Sequence, residues 1–357
     1  MAAKYPFKNL VFQGGGVKTF AYHGVVETLD AYGVLPQIER VAGTSAGAVM
    51  AACLGFRLSV QETLELFKQI DYSRVSLAAP DKDQKRIPGK LVRGELLDKV
   101  VSNVDSINRL LKHYGWYASD YPYQRLQEII ANYCHGNGRA TFADFKANGF
   151  RDLYIVTTNL SKHRREVFSA ETTPHVAVVD ALLITQSVPL FFEGVQFNGK
   201  TLGSGDYYAD GGVVENFPIH IFDDERYAQN SRRFFSGINW ETLGARLYTP
   251  DNCSHRYRPV TGLLTYMENL LQTLVEAQIV AFENSRVDQL RSINISDCCV
   301  QATDFHIRPE DTDARYVELV NAGRTAALNY LNTFSLPGDS EKRWLNGVLE
   351  RLKKLHG

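Results

Sequence analysis

The stretch VAGTSAGAVM, residues 41–50, holds a serine two positions from a glycine on either side, in Gly43-Thr44-Ser45-Ala46-Gly47. A short segment over residues 38–42 with apolar Ile38, Val41 and Ala42 precedes it, and small residues suited to close helix packing follow it. That order predicts strand, sharp turn and helix. In a G-x-S-x-G of this context the turn is so tight that Gly43 and Gly47 must be small. It projects the Ser45 hydroxyl clear of the sheet, at a helix N-terminus whose exposed N–H groups favour negative charge.

The same unit occurs once earlier. Residues 9–12 are apolar, QGGGVKTF (13–20) supplies three adjacent glycines, and Phe20, Val25, Leu29 and Tyr32 then fall at helical spacing. Gly14, Gly15 and Gly16 together are conformationally expensive, which marks a place where something approaches the main chain. Phosphate is the first chemistry to test. A P-loop requires glycine before its lysine, whereas Lys18 follows a valine; a dinucleotide turn requires glycine or alanine where Thr19 stands. A nucleotide-responsive binding or switch module therefore stays only as the alternative reading.

Further along, residues 59–149 read as a mostly helical insertion with tyrosine-rich stretches. LYIVTT (153–158) returns to strand, VVDALLITQSVPLFF (178–192) gives a helix stopped by Pro189, and TLGARLY (242–248) and INISD (293–297) read as strands. Residues 263–282 and YVELVNAGRTAALNYL (316–331) form helices. Strands alternating with helices through glycine turns predict an α/β fold: three layers, a mainly parallel central sheet with helices on both faces, and the helical insertion between the first sheet units. Residues 1–335 make one domain on this reading. Ligand sites in such sheets lie at the carboxyl ends of the strands, where both glycine turns fall.

The composition excludes several classes. With 357 residues, 44% hydrophobic, 22% charged and a formal net charge of -1, the chain is ordinary globular protein with no general attraction for nucleic acid. Five cysteines, including the adjacent Cys298 and Cys299, lack metal-ligand spacing and read as reduced thiols in a cytoplasmic setting, with specialised secretion left open. The N-terminus lacks a signal-peptide pattern, and the uncharged run 41–56 is shorter than the roughly 20 residues of a spanning helix. No metal or cofactor is expected.

A serine hydroxyl needs a base. The later histidines (113, 135, 163, 175, 220, 255, 306 and 356) stand in no turn context that singles one out. Asp210 does: it ends an apolar-aromatic strand and is followed by Gly211 and Gly212, which places its carboxylate at the sheet edge.

GGGVK, GTSAG and DGG, in that order and on those elements, resemble the patatin-like phospholipases, as do SVPLFF before the aspartate, ENFP after it, and the closing NAGRTAALNYL. The resemblance implies a Ser-Asp dyad without a catalytic histidine: Ser45 as nucleophile, Asp210 as base, and the amides of Gly14, Gly15 and Gly16 as oxyanion hole. Lys18 occupies the family's basic position and, on this view, favours the charged state or orients a phosphate head group; Gly211 and Gly212 support Asp210. The substrate implied is a phospholipid or lysophospholipid, hydrolysed through an acyl-enzyme. Thr19 departs from the family, which has glycine there, and this predicts altered packing at the helix start. A catalytically silent scaffold is the remaining alternative, and any protein activator is unidentified.

The tail, residues 336–357, places Trp344, Leu345, Val348, Leu349, Leu352 and Leu355 on one helical face, with Lys342, Arg343, Arg351, Lys353 and Lys354 elsewhere. A basic amphipathic helix of this kind suits transient, peripheral contact with a membrane surface.

Overall fold

The computed structural model describes residues 5–70, 110, 112–117, 120–253 and 259–336. The tail beyond 336 and residues 71–109 of the expected insertion lie outside the described residues.

Apolar runs make the strands of the central sheet. β1 (Asn9–Phe12), β2 (Arg40–Thr44) and β4 (Asp152–Asn159) run parallel, as do β11 (Thr242–Tyr248) and β12 (Ser292–Ser296) on the other side of β1; β3 (Gly115–Tyr117) stands apart and pairs β6 (Leu190–Phe192) in a separate two-stranded sheet. The sheet order is β12-β11-β1-β2-β4-β8-β7, with β5 also on β4. β5 (Arg164–Ser169), β7 (Val195–Phe197) and β8 (Asp206–Asp210) are the antiparallel members, and β9 (Phe234–Phe235) with β10 (Ile238–Asn239) forms a small separate hairpin. The sheet is thus mixed and mostly parallel.

Period-two alternation sends Leu10, Phe12, Val41 and Ile155 to one face and Val11, Ala42 and Tyr154 to the other. The first face carries the thick helical layer: α1 (Ala21–Ala31), the wholly buried α2 (Ala46–Gly55), α3 (Val60–Lys68), α6 (Val178–Thr185) and α9 (Ala314–Thr333), with α4 (Asp120–Tyr133) against α6 and α5 (Phe142–Ala147) against β4. α1 and α9 cross with their backbones nearly touching, since a Cβ on Gly323 would lie 1.8 Å from the Ala21 carbonyl oxygen. The second face is covered by short 3-10 turns carrying Ile219, Phe222 and Tyr227, and by α7 (Leu263–Glu283), whose Phe282 packs against Phe217 and Arg246.

Several local expectations are corrected. The first helix begins as a 3-10 turn, Gly16–Phe20, and becomes α-helical only at Ala21, because the Thr19 hydroxyl donates to the Gly16 carbonyl (2.7 Å) and tightens the start. The helix expected to reach Pro189 ends at Thr185, and residues 190–192 pair as β6 instead. Within the expected insertion, α3 belongs to the main layer: Phe67 is fully buried edge-on to Phe20 and to His23. The reading of five reduced thiols also fails for two of them. Cys253 and Cys299 form a disulfide across 46 residues, a pairing that no sequence spacing announces, while Cys53, Cys134 and Cys298 are free.

A charged knot fastens the second face. Arg291, 1% exposed before β12, binds Asp223 at 2.6 and 2.7 Å and Asp288 of α8 (Arg286–Leu290) at 2.8 Å; His220 bridges the same two carboxylates at 2.8 and 3.0 Å. The Asp223 and Asp288 carboxylates raise the His220 pKa to about 9. Removing Arg291 leaves two buried carboxylates with the His220 charge alone between them, so Arg291→Met costs about 3–5 kcal/mol in urea unfolding. A raised histidine pKa stabilises fully below its unfolded value and is lost as pH rises through the folded one. The cost of His220→Asn is therefore expected at about pH 6 and fades by about pH 10.

Candidate active site

β4 is paired along both edges. Residues 154–159 meet β5 on one edge, while on the other Arg40–Thr44 of β2 stand beside Asp152–Val156. β8 pairs Asp210 with Thr157, Ala209 with Thr158 and Tyr208 with Asn159, residues whose first edge β5 already occupies. It follows that β8 takes over the β2 edge where β2 stops. Thr44 is level with Val156 and Asp210 with Thr157, the next residue, so β2 running out and β8 running in bring Ser45 and Asp210 head to head. Asp210 reaches the carboxyl edge of the parallel strands from an antiparallel strand, a direction its sequence did not disclose.

The Ser45 turn is tight in the way its glycines foretold. Ser45 sits at φ 53°, ψ −132°, a conformation that costs a non-glycine residue about 1–3 kcal/mol. A Cβ at Gly43 would come 2.5 Å from the Gly47 backbone, and one at Gly47 2.4 Å from the Gln13 carbonyl oxygen. Thr185, at the end of α6, holds the turn: it accepts from the Ser45 amide (2.9 Å) and donates to the Val156 carbonyl (2.6 Å). Ala46 then opens α2, whose N-terminus faces the serine.

Asp210 is 4% exposed. Its amide donates to the Ser187 carbonyl (2.9 Å), and its own carbonyl accepts from the Thr158 hydroxyl (2.9 Å). Oδ1 accepts from the Gly212 amide (2.7 Å), while Oδ2 is buried without a hydrogen bond of ordinary geometry among the described residues. Burial pushes the pKa up to about 7; the Ser45 hydroxyl and then the Gly212 amide pull against that rise. The carboxyl is thus poised to exchange a proton near neutrality. Gly211 lies so close to β4 that a Cβ would meet the Val156 carbonyl oxygen at 2.3 Å.

The three glycines divide. Gly14 donates its amide to the Asn216 carbonyl (3.0 Å) and accepts from the Asn216 side chain (3.2 Å), so its N–H is engaged within the chain, contrary to the expectation of three free donors. No acceptor for the Gly15 and Gly16 amides occurs among the described residues. Gly16, at φ +54°, abuts the Ala302 carbonyl oxygen, 2.1 Å from where a Cβ would stand, and Val17 donates to that same oxygen (3.2 Å). Lys18 neither faces solvent nor offers a free charge: its Nζ is 2.8 Å from Asp297, which also accepts from Thr249 (2.6 Å).

A cavity of about 700 Å3, within the range of small-molecule sites, opens on Ser45, Asp210, Gly15 and Gly16. Its walls are mostly apolar, from Leu126, Leu183, Phe191, Leu247, Val275 and Ile279. No histidine lines it among the described residues. His23 is buried elsewhere, bonded to Tyr316 (2.8 Å), with burial driving its pKa down to about 3. Sequence reasoning missed Thr185, Asn216, Gln278 and Asp297. The motifs SVPLFF and ENFP bracketed two of their neighbourhoods, but Gln278 and Asp297 stand in no local pattern.

The family model for patatin-like phospholipases matches residues 10–223, from β1 through the second-face turns. The uncharacterized protein R571 of Acanthamoeba polyphaga mimivirus is 29% identical over 219 residues, 61% of this chain and 62% of that protein. The chain thus matches less than two thirds of that relative. The probable lipid hydrolase 463L of Invertebrate iridescent virus 6 is 25% identical over 216 residues, 60% of this chain and 63% of the viral one. Among solved structures, VipD from Legionella pneumophila superposes with a TM-score of 0.50 at 19% identity, covering 92% of this chain and 67% of VipD, a likeness of fold. Since the matched family span exceeds half of the chain and contains both the serine turn and the aspartate strand, the chain belongs to the patatin-like phospholipase family.

Proposed function

We propose that the protein is a lipid acyl hydrolase of the phospholipase A or lysophospholipase type, a carboxylic ester hydrolase working through a Ser45–Asp210 dyad. The observation that carries this reading is the head-to-head register on β4, with a buried Asp210 carboxyl raised to about 7 beside the strained serine. In the first half-reaction the Ser45 hydroxyl proton passes to Asp210 as Oγ attacks the ester carbonyl carbon. Negative charge collects on the carbonyl oxygen, which the Gly15 and Gly16 amides and the α2 N-terminus stabilise. The intermediate collapses, Asp210 returns the proton to the departing alkoxide, and an acyl-enzyme remains. Water then loses a proton to Asp210 and attacks the acyl carbon; Ser45 regains the proton as the fatty acid leaves. No metal enters this sequence.

The apolar cavity suits an acyl chain, and a phospholipid or lysophospholipid presented at a membrane surface is the substrate class. Lys18, being paired with Asp297, acts here by fixing the glycine turn to the end of β12 and not by grasping a head group. The Cys253–Cys299 cross-link argues for an oxidising compartment, or export into one, over the cytoplasmic setting that the thiols suggested, because glutathione and thioredoxin keep cytosolic cysteines reduced.

Fatty-acid release from mixed phospholipid vesicles, followed by mass spectrometry, tests the assignment. Ser45→Ala and Asp210→Asn are each expected to lower the rate by at least about 10³-fold, and a fluorophosphonate probe to label the parent but not Ser45→Ala. Undiminished hydrolysis by either variant would overturn the dyad. The active form requires ionised Asp210, so kcat/KM is expected to fall about tenfold per pH unit below about 7 and to level off above it.

The same carboxyl makes a stability prediction of opposite sense. Between the ordinary value and about 7 the native state keeps a proton that the unfolded chain has lost, so stability declines as pH rises through that window. Urea unfolding of Asp210→Asn should show a gain over the parent that reaches on the order of 4 kcal/mol above about pH 7 and shrinks toward pH 4.

A further inference from the structure

We propose that the outer face of α7 is the surface by which the protein lies on an uncharged, zwitterionic lipid layer, a proposal that rests on the lipid-hydrolase reading above. The helix, LLTYMENLLQTLVEAQIVAFE, contains no lysine or arginine; its charged residues are Glu268, Glu276 and Glu283. Two of its sides are apolar. Leu271, Val275 and Ile279 line the cavity, and Met267 is buried. Tyr266, Leu270 and Val280, at 55%, 43% and 58% exposure, fall on the opposite side at helical spacing with Ala277 and the single polar Thr273 among them, and Leu274 sits on the shared margin. A helix apolar on opposite sides is normally covered on both, and among the described residues this one is covered on one.

The orientation is held from within. Gln278 donates to the Gly212 carbonyl (2.9 Å) and accepts from the Asn216 amide (2.7 Å), so the inner side is tied to the loop that carries Asp210. Turning the exposed side inward would break both bonds. Exposed apolar side chains gather around it: of the twelve large hydrophobic residues exposed among those described, Tyr248, Val260, Tyr266, Leu270, Leu274 and Val280 fall within residues 248–280, and Val214 adjoins the loop tied by Gln278.

Two features select a lipid surface as the occupant. First, the patch is continuous with the cavity, since one helix supplies the wall of the chamber and the exposed stripe, and Leu274 belongs to both. Second, a helix with glutamates and no cation has nothing to offer an anionic membrane, whose attraction depends on clustered lysine and arginine. No helix among the described residues is long and apolar enough to cross a membrane, so α7 would lie in the interface plane.

The test uses the full chain and the double variant Leu270→Glu/Val280→Glu, neither residue lining the cavity. Vesicle flotation, hydrolysis of vesicle phosphatidylcholine and hydrolysis of soluble p-nitrophenyl butyrate are measured, with circular dichroism confirming the fold. The parent is expected to float with phosphatidylcholine vesicles, no better with phosphatidylserine added. The double variant is expected to lose at least about tenfold in flotation and in vesicle hydrolysis, from two lost apolar insertions, while soluble-ester hydrolysis stays within about twofold. Equal flotation of parent and variant would overturn the proposal. So would a parent that does not float, or a parent dimer that the variant abolishes without loss of flotation. Flotation that requires phosphatidylserine and vanishes in Arg351→Gln/Lys353→Gln/Lys354→Gln would assign the docking to the tail instead. If neither protein hydrolyses any ester, yet only the parent floats, the docking surface stands and the catalytic reading falls.

Discussion

The site depends on one strand edge shared by two others. β4 is long enough to pair with β2 over its first half and with β8 over its second, and the hand-over falls between Val156 and Thr157. Backbone pairing therefore sets the separation of Ser45 from Asp210, and the buried Thr185 and Thr158 hydroxyls brace it. A ladder bond is worth only about 1 kcal/mol net, but register is all-or-none: a slip of one residue would turn Asp210 to the opposite face.

The surroundings resist the costs concentrated there. Ser45 occupies backbone space that L-residues avoid, and Asp210 carries a carboxyl away from water. Thr185 ties the serine amide to Val156, Thr158 and Ser187 tie both ends of the Asp210 peptide, and Gly211 fits against β4 where no side chain would. The wholly buried α2 behind the serine supplies apolar burial of the order that such local penalties require. Reactive geometry of this kind persists only where neighbouring structure over-determines it.

Local chemistry was legible in the sequence, and distant pairing was not. Gly43 and Gly47 announced a turn too close for side chains because their spacing about Ser45 encodes it, and Gly211 and Gly212 marked Asp210 as a strand end. Neither the antiparallel approach of β8 nor its place beyond β2 follows from residues 206–210, because a five-residue strand with an aspartate at either end reads the same in both directions. Lys18 finds its counter-charge 279 positions away in Asp297, and Cys253 finds Cys299 across 46; periodicity carries no information on either. Thr19 was recognised as a departure from glycine. What it does, closing a 3-10 turn onto Gly16, needed the backbone to be seen.

The support beneath Gly16 reaches far past the segment that defines the family. Ala302 closes against that glycine, Asp297 neutralises Lys18, and Gln278 braces the loop after Asp210, whereas the recognised family span ends at residue 223. A protein trimmed to that span would keep Ser45 and Asp210 yet lack the floor, the counter-ion and the strut that give their surroundings shape. The minimal working unit of this chain is accordingly set by its last third as much as by its signature motifs.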